Sequence, residues 1–423
     1  MSTQTEIRSP IRRLFDWDFS YLRNLANEFK TPLYVIDTDR IRANGQRLRD
    51  AFPAADIRYA MKANSSPQVR QTIRELGFSA ECASAGEVHL ALEAGFSGSK
   101  IHYTAVNPPD RDLDFIIDVW EDQPELTITV GARDTITRLA ERGYSGRLCL
   151  RANPGVGAGH HKKVTTGSHP KFGIPTEDIP LVANEAASVG SVVGVHAHAG
   201  SGISGEDLSS HKELVSRMGE LARTVEVNQD EFEFVNVGGG FGVPYHPEEE
   251  PLELETVAEE TRSALGELKP TLAIEPGRYF VADAGVLITQ VNTVKQTRET
   301  TVVGVGAGMT TLIRPAMYDA YHAVRNLNTD TDRENEEVMI AGPICESADV
   351  LAVDREIPLP QQGEYLAIGN AGAYGYEMSS NYNARPRPAE VTISDEDAVI
   401  TRRRETLRDL TAMEFDHMSN TNQ

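Results

Sequence analysis

The sequence predicts an α/β protein in which a (β/α)8 barrel over residues 39–280 is followed by a β-barrel or β-sandwich domain over 281–423, with residues 1–38 joining that β domain. Three observations lead there. Eight short β-rich runs alternate with helical stretches between residues 57 and 280. After Phe280 the pattern changes to strands with few helices between them. The length, 423 residues, supplies two or three domains at roughly 100 to 200 residues each.

In chain order the eight runs are IRYAMKAN from Ile57, FSAECAS from Phe78, IHYTAV from Ile101, LTITV from Leu126, RLCLRANP from Arg147, VVGVHAHAGSG from Val192, FEFVNVGGGF from Phe232 and TLAIEPGRY from Thr271. Between them, SPQVRQTIRELG and AGEVHLALEAG repeat apolar residues at three and four and end in Gly, the usual helix stop. This is the pattern of a TIM barrel; an open doubly wound sheet is the alternative reading of the same alternation. The later runs VLITQVNTVKQ, TTVVGVGAG, EEVMIAGPIC, EYLAIGNAGAY, AEVTI and DAVITRR read as a separate β domain. The early run TPLYVID, ahead of the helical IRANGQRLRDAF, is assigned to that domain because the barrel count is complete without it.

Composition bounds the function. With 40% hydrophobic and 25% charged residues the chain has the balance of a globular protein. Its net charge of -22 repels a phosphate backbone or an anionic membrane, so neither nucleic acid nor membrane is expected as a partner. Only nine of the 41 basic residues are lysine, and an acidic, arginine-biased surface suits a salt-rich, halophilic cytoplasm. Three scattered cysteines, Cys82, Cys149 and Cys345, make neither a disulfide framework nor a zinc site and suit a reducing compartment. No apolar run approaches the roughly 20 residues of a membrane span, so the expectation is a soluble, cytoplasmic protein. HPEEEPLELE and LNTDTDRENEE read as solvated surface.

A barrel carries its active site at the C-terminal ends of its strands, and those ends are polar here. The first run ends Met61-Lys62-Ala63-Asn64, a lysine where strand propensity disfavours one. It either snorkels to the rim or, partly desolvated, condenses with a carbonyl as a Schiff base. Gly238, Gly239 and Gly240 close the seventh run, where free backbone N–H groups can gather on a phosphate or simply make a tight turn. Glu275 closes the eighth, and a carboxylate there needs either an arginine such as Arg278 or a ligand. Amine, glycine cradle and carboxylate together describe a site for pyridoxal 5'-phosphate.

The motifs YAMKAN at Lys62, SAGE at Ser84 to Glu87, HPKFGI at His169, HAHAGS at His196, NVGGGFGVPY at Asn236, EPGR at Glu275, IRPAMYDAYH at Ile313, CES at Cys345, GAYGYEMSSNYN at Gly372 and the following ARPRP carry a resemblance across nearly the whole chain. The chain resembles the fold-type III pyridoxal-phosphate decarboxylases, the alanine-racemase and ornithine-decarboxylase group. The resemblance implies that Lys62 holds the cofactor, with Cys345 from the β domain of the other protomer helping to protonate the intermediate. It implies that His198 stacks on the ring, that Glu275 keeps the ring nitrogen protonated, and that Ser201, Gly238 to Gly240, Gly277 and Arg278 surround the phosphate. By the same resemblance Tyr374 would also reach the cofactor, and Arg278, Arg314, Tyr318, Glu346, Ser347 and Tyr374 would correspond to substrate-binding positions.

The substrate implied is meso-2,6-diaminopimelate, decarboxylated to L-lysine and carbon dioxide by a homodimer with shared active sites. Gly202, where diaminopimelate-type members carry glutamine, and Tyr279 after EPGR lean toward ornithine-type relatives, and CESAD replaces CESGD. The alternatives are a decarboxylase of ornithine, of D-lysine or D-ornithine, or of carboxynorspermidine. From a different class comes a metal-dependent barrel hydrolase, using His196 and His198 with His160, His161 and His169, which leaves Lys62 and the glycine cradle unexplained. A non-catalytic binding homologue is a further reading, set against the presence of the lysine, the glutamate and the cysteine.

Overall fold

The computed structural model describes residues 9–157, 169–204, 208–227, 229, 231–328, 333–395 and 397–414. The chain divides into two compact units, one built on Thr38–Ala282 and the other on Arg12–Asp37 together with the chain from Asp283. Strand β1 (Leu33–Asp37) belongs to the second of these.

The first unit is a closed parallel barrel. Its strands are β2 (Asp56–Ala60), β3 (Ser79–Cys82), β4 (Ile101–Tyr103), β5 (Thr127–Val130), β6 (Arg147–Asn153) and, past a two-residue β7 (Ile174–Pro175) that pairs with β6, β8 (Ser191–His196), β9 (Phe234–Gly239) and β10 (Thr271–Glu275). Neighbours pair in parallel around the ring, and β10 closes on β2 with Ala273 opposite Asp56 and Ile274 opposite Ile57. Every residue of β3 and β5 is buried. That follows when helices cover one face of a strand and the barrel interior covers the other.

The intervening helices start where the sequence supplies caps. Pro67 opens Pro67–Glu75 with its missing N–H at a position that needs none. Ser84 Oγ accepts from Glu87 N at 3.2 Å while Glu87 Oε2 accepts from Ala83 N at 2.6 Å, so the SAGE motif is the start of helix Ala85–Glu93. Helix Asp110–Asp122 buries Leu113, Ile116 and Ile117 at the spacing of one helical face. None of the described residues forms a helix long and apolar enough to cross a membrane.

Paired positions on parallel strands share a face. The register therefore sets Ala60 beside Glu81, and Arg151 beside His196 beside Asn236. The contacts of Glu275 with His196 and Asn236 place that layer inside the barrel, at the strands' C-terminal ends.

The second unit is a mixed sheet of β1 with β11 (Gly285–Thr297), β12 (Thr300–Val305), β13 (Val324–Asn326), β14 (Asn335–Ala341), β15 (Val350–Pro358), β16 (Tyr365–Ile368), β17 (Ala389–Ser394) and β18 (Asp397–Arg402). Strand β1 lies between β11, antiparallel, and β17, parallel. The long β11 pairs with β1 and β16 along its first half and with β12 along its second, past a bulge between Val291 and Thr293. Two cores flank the sheet: Leu33 and Val35 point into one, and Tyr34 points into the other. Helix Phe19–Phe29, capped by Asp18 accepting from Tyr21 N at 3.0 Å, packs Leu22, Leu25 and Ala26 into the first of these cores.

Candidate active site

Strand β2 stops at Ala60, and Met61–Ala63 forms a single 3-10 turn. Lys62 therefore sits on a turn at the barrel mouth, not on the strand itself as the run YAMKAN suggested. Met61 and Ala63 beside it are fully buried. Lys62 Nζ donates to Glu81 Oε2 at 2.9 Å, and Glu81, one residue from the end of β3, is 1% exposed. Burial pushes the Glu81 carboxyl up; Lys62 opposes that rise and the second carboxylate, Glu275, adds to it.

Glu275 ends β10 with each oxygen engaged. Asn236 Nδ2 donates to Oε1 at 2.6 Å, and His196 Nε2 lies 3.2 Å from Oε2. Burial alone would raise this carboxyl, but the hydrogen bond with His196 and the nearby Lys62 ammonium hold it well below the usual carboxylate range. The Glu275–Arg278 ion pair considered from the sequence is not the one that forms. A turn separates the strand end from the short helix Arg278–Val281, and Arg278 points to Tyr245 Oη at 2.7 Å and Ser201 Oγ at 3.0 Å. His198 is half-buried with its Nδ1 shielded from solvent, and desolvation with the nearby Lys62 pushes its imidazole down to about 3, leaving a neutral flat ring.

The glycines form a cradle by close backbone approach. Gly238 has φ +73, and a Cβ there would meet His198 Nδ1 at 2.6 Å and the Ala197 carbonyl at 2.8 Å. Gly238 N donates to Asn236 Oδ1 at 2.9 Å, so Asn236 ties the cradle to Glu275. Gly240 O accepts from Gly202 N at 2.9 Å and Ile203 N at 2.8 Å, joining the loops after β8 and β9. Gly202 itself has φ +79, a local backbone reason for glycine at the position where the resemblance expects glutamine.

Sequence reasoning missed Glu81, Arg151, His196 and Asn236 as members of the site, and Tyr245 beside Arg278. Arg151 is 7% exposed, lies over the Phe172 ring at 4.8 Å, and has no hydrogen-bond partner among the described residues. A buried guanidinium in that condition suits an anionic oxygen on a bound group. The amine, the two carboxylates, the neutral histidine face, the cradle and this orphan cation fit pyridoxal phosphate. A signal was available for two of the missed residues: Glu81 interrupts the apolar FSAECAS, and Arg147, Cys149 and Arg151 alternate along β6.

The remaining expected residues belong to the sheet unit. Arg314 is 2% exposed and Tyr318 and Tyr374 are half-buried, Tyr374 with φ +55. Cys345, Glu346 and Ser347 form an exposed loop. The Asp349 carboxylate braces it by accepting from Met309 N at 2.6 Å and Ile344 N at 2.8 Å. Of the histidines considered for a metal, His196 is engaged with Glu275, and His160 and His161 lie outside the described residues. Among the described residues no three His, Cys, Asp or Glu side chains gather as a metal site.

Residues 38–282 match the family model of the pyridoxal-dependent decarboxylases, pyridoxal binding domain. Among curated proteins the chain is 42% identical to the diaminopimelate decarboxylase of Methanothermobacter thermautotrophicus, over 91% of this chain and 92% of the relative. It is 35% identical to that of Escherichia coli K12, over 93% and 96%. Among solved structures it is similar to diaminopimelate decarboxylase from Helicobacter pylori complexed with L-lysine, with a TM-score of 0.86 at 31% identity, covering 93% of this chain and 99% of that one.

Proposed function

The chain belongs to the pyridoxal-dependent decarboxylases, and from that membership we propose that it removes one carboxylate of meso-2,6-diaminopimelate to give L-lysine and carbon dioxide, with pyridoxal 5'-phosphate as cofactor. The observation that carries the reading is the barrel mouth in which Lys62, paired to Glu81, shares an electrostatic field with a Glu275 pinned ionised by His196 and Asn236.

Lys62 would hold the cofactor's aldehyde carbon and Glu275 its ring nitrogen. His198 would lie on the ring face with Tyr374 beside it, and Ser201, Gly238 to Gly240, Gly277 and Arg278 would hold the phosphate. Once bound, the cofactor supplies a sink for the electron pair left when the carboxylate departs. The protein's own part begins with Lys62. Its nitrogen needs a free lone pair to bond carbon, and Glu81 Oε2, 2.9 Å away on a carboxyl raised by burial, is placed to take the proton from Nζ. Glu275 remains an acceptor that would face a protonated ring nitrogen, and its two donors fix its plane. The neutral His198 adds a flat surface without a competing charge.

For the substrate, Arg278, Arg314 and Tyr318 would receive carboxylates, while Glu346 and Ser347, with Tyr374, would receive the distal ammonium. Cys345 would return a proton to the reacting carbon. The reading includes a homodimer in which the Cys345 loop of one protomer serves the barrel of its partner; support comes from the exposure of that loop on its own unit. A cytoplasmic location is also part of it, supported by three cysteines that remain thiols.

Protein loaded with pyridoxal phosphate and given meso-diaminopimelate should release carbon dioxide and L-lysine in equal amounts, and Lys62→Ala should release neither. Failure of the loaded wild type to form lysine would overturn the proposal.

A further inference from the structure

We propose that His322 is a positioning residue: as a neutral imidazole it holds the Arg314 guanidinium in the orientation that meets the distal carboxylate of the substrate. The inference rests on the reading above that Arg314 receives that carboxylate.

Arg314 opens the short helix Arg314–Tyr318, and both it and His322 are buried, at 2% and 0% exposure. Arg314 Nη1 lies 2.8 Å from His322 Nε2, and His322 Nδ1 lies 2.8 Å from the Gly369 carbonyl oxygen. A guanidinium has five donors and no acceptor, so Nε2 must be the nitrogen with the lone pair. The ring proton is then on Nδ1 and is donated to Gly369 O. A doubly protonated ring would set N–H against N–H at Arg314, so this geometry assigns both the tautomer and the neutral charge state.

The ring is anchored to the sheet. Strand β13 pairs with β16, Val324 opposite Ile368, and Gly369 N donates to Ala323 O at 2.9 Å. The His322 contact to Gly369 O continues that ladder by one step beyond the strands' ends. Backbone pairing thus fixes the imidazole, and the imidazole fixes the guanidinium. A carboxylate in the place of His322 would orient Arg314 but cancel its charge. A neutral acceptor orients it without setting a negative charge of its own against the guanidinium. His322 closes the motif IRPAMYDAYH, of which the substrate reading had used only Arg314 and Tyr318.

The test is a double-mutant cycle on steady-state constants for meso-diaminopimelate with the cofactor-loaded enzyme. His322→Leu should raise KM by about tenfold or more, change kcat by much less, and leave the cofactor absorbance as in wild type. His322→Gln, which keeps an acceptor for Arg314, should recover most of the loss. In an Arg314→Ala background the His322→Leu change should add nothing to KM. His322→Phe, filling the space without a lone pair, serves as the disruptive variant if His322→Leu does not fold. Equal factors on KM in both backgrounds, or a wild-type KM for His322→Leu, would overturn the positioning role while the substrate reading stands. An unchanged KM for Arg314→Ala would instead remove the substrate reading, and this inference with it.

Discussion

Lys62 Nζ and Glu81 Oε2 lie 2.9 Å apart with unequal surroundings, the lysine side chain 39% exposed and the glutamate 2%. The cation reaches toward the mouth while the anion stays inside the barrel. That asymmetry makes the pair a directed one, in which a proton leaving Nζ passes inward to a carboxyl already raised by burial.

Glu81→Gln should therefore slow the capture of pyridoxal phosphate by the apoprotein by at least about tenfold near neutral pH, because proton transfer by a positioned base contributes factors of about 100 to 10,000. Stopped-flow absorbance during reconstitution reads this directly. A capture rate equal to wild type would remove Glu81 as the acceptor.

Acid stability reports on His198. Its folded value, about 3, lies below the unfolded value of about 6.5, so the unfolded chain binds a proton that the folded chain refuses. This contribution is in place above about pH 6.5 and is lost as pH falls toward the folded value. His198→Phe has a flat ring and no proton to refuse, so between pH 7 and 5 the apoprotein should lose about 2 kcal/mol less than wild type in denaturant titrations. Parallel losses in the two proteins would show that His198 accepts protons in the fold.

Stability should rise with salt. At a net charge of -22 the carboxylates repel one another, and the screening length falls from about 10 Å at 0.1 M to about 3 Å at 1 M. A higher melting temperature at 1 M than at 0.1 M potassium chloride is expected. No change would sink the halophilic reading of the composition.

Shared sites predict complementation. Inactive Lys62→Ala and Cys345→Ala protomers, mixed and allowed to exchange, should recover part of the activity through hybrid dimers carrying one intact site. No recovery after exchange verified by mass spectrometry would count against a Cys345 that acts across protomers.

The barrel was legible because its strands are buried on both faces: six of the eight runs contain an observed strand, and β2 and β8 each begin one residue before theirs. The polar letters where those runs end marked the mouth, and Glu275 proved to be the last residue of β10. The partner of Glu275 was not legible. Spacing along the chain suggests Arg278, whereas the register across neighbouring strands delivers His196 and Asn236, and register cannot be read from one strand at a time. In the sheet unit, β15 escaped notice because it is an edge strand whose middle residues, Asp354, Arg355 and Glu356, break the apolar pattern. Glycine at 202 looked like a statement about substrate, yet φ +79 gives it a backbone cause.

A decarboxylase built for a substrate with a distal carboxylate reveals itself in a panel of kcat/KM values. A buried Arg314 placed at that carboxylate would repel the terminal ammonium of ornithine or lysine, and each lost charge-assisted contact is worth about 1.5 to 3 kcal/mol. The wild type should favour meso-diaminopimelate over ornithine, lysine and arginine by at least about a hundredfold. Equal or better turnover of ornithine would contradict a site built for diaminopimelate.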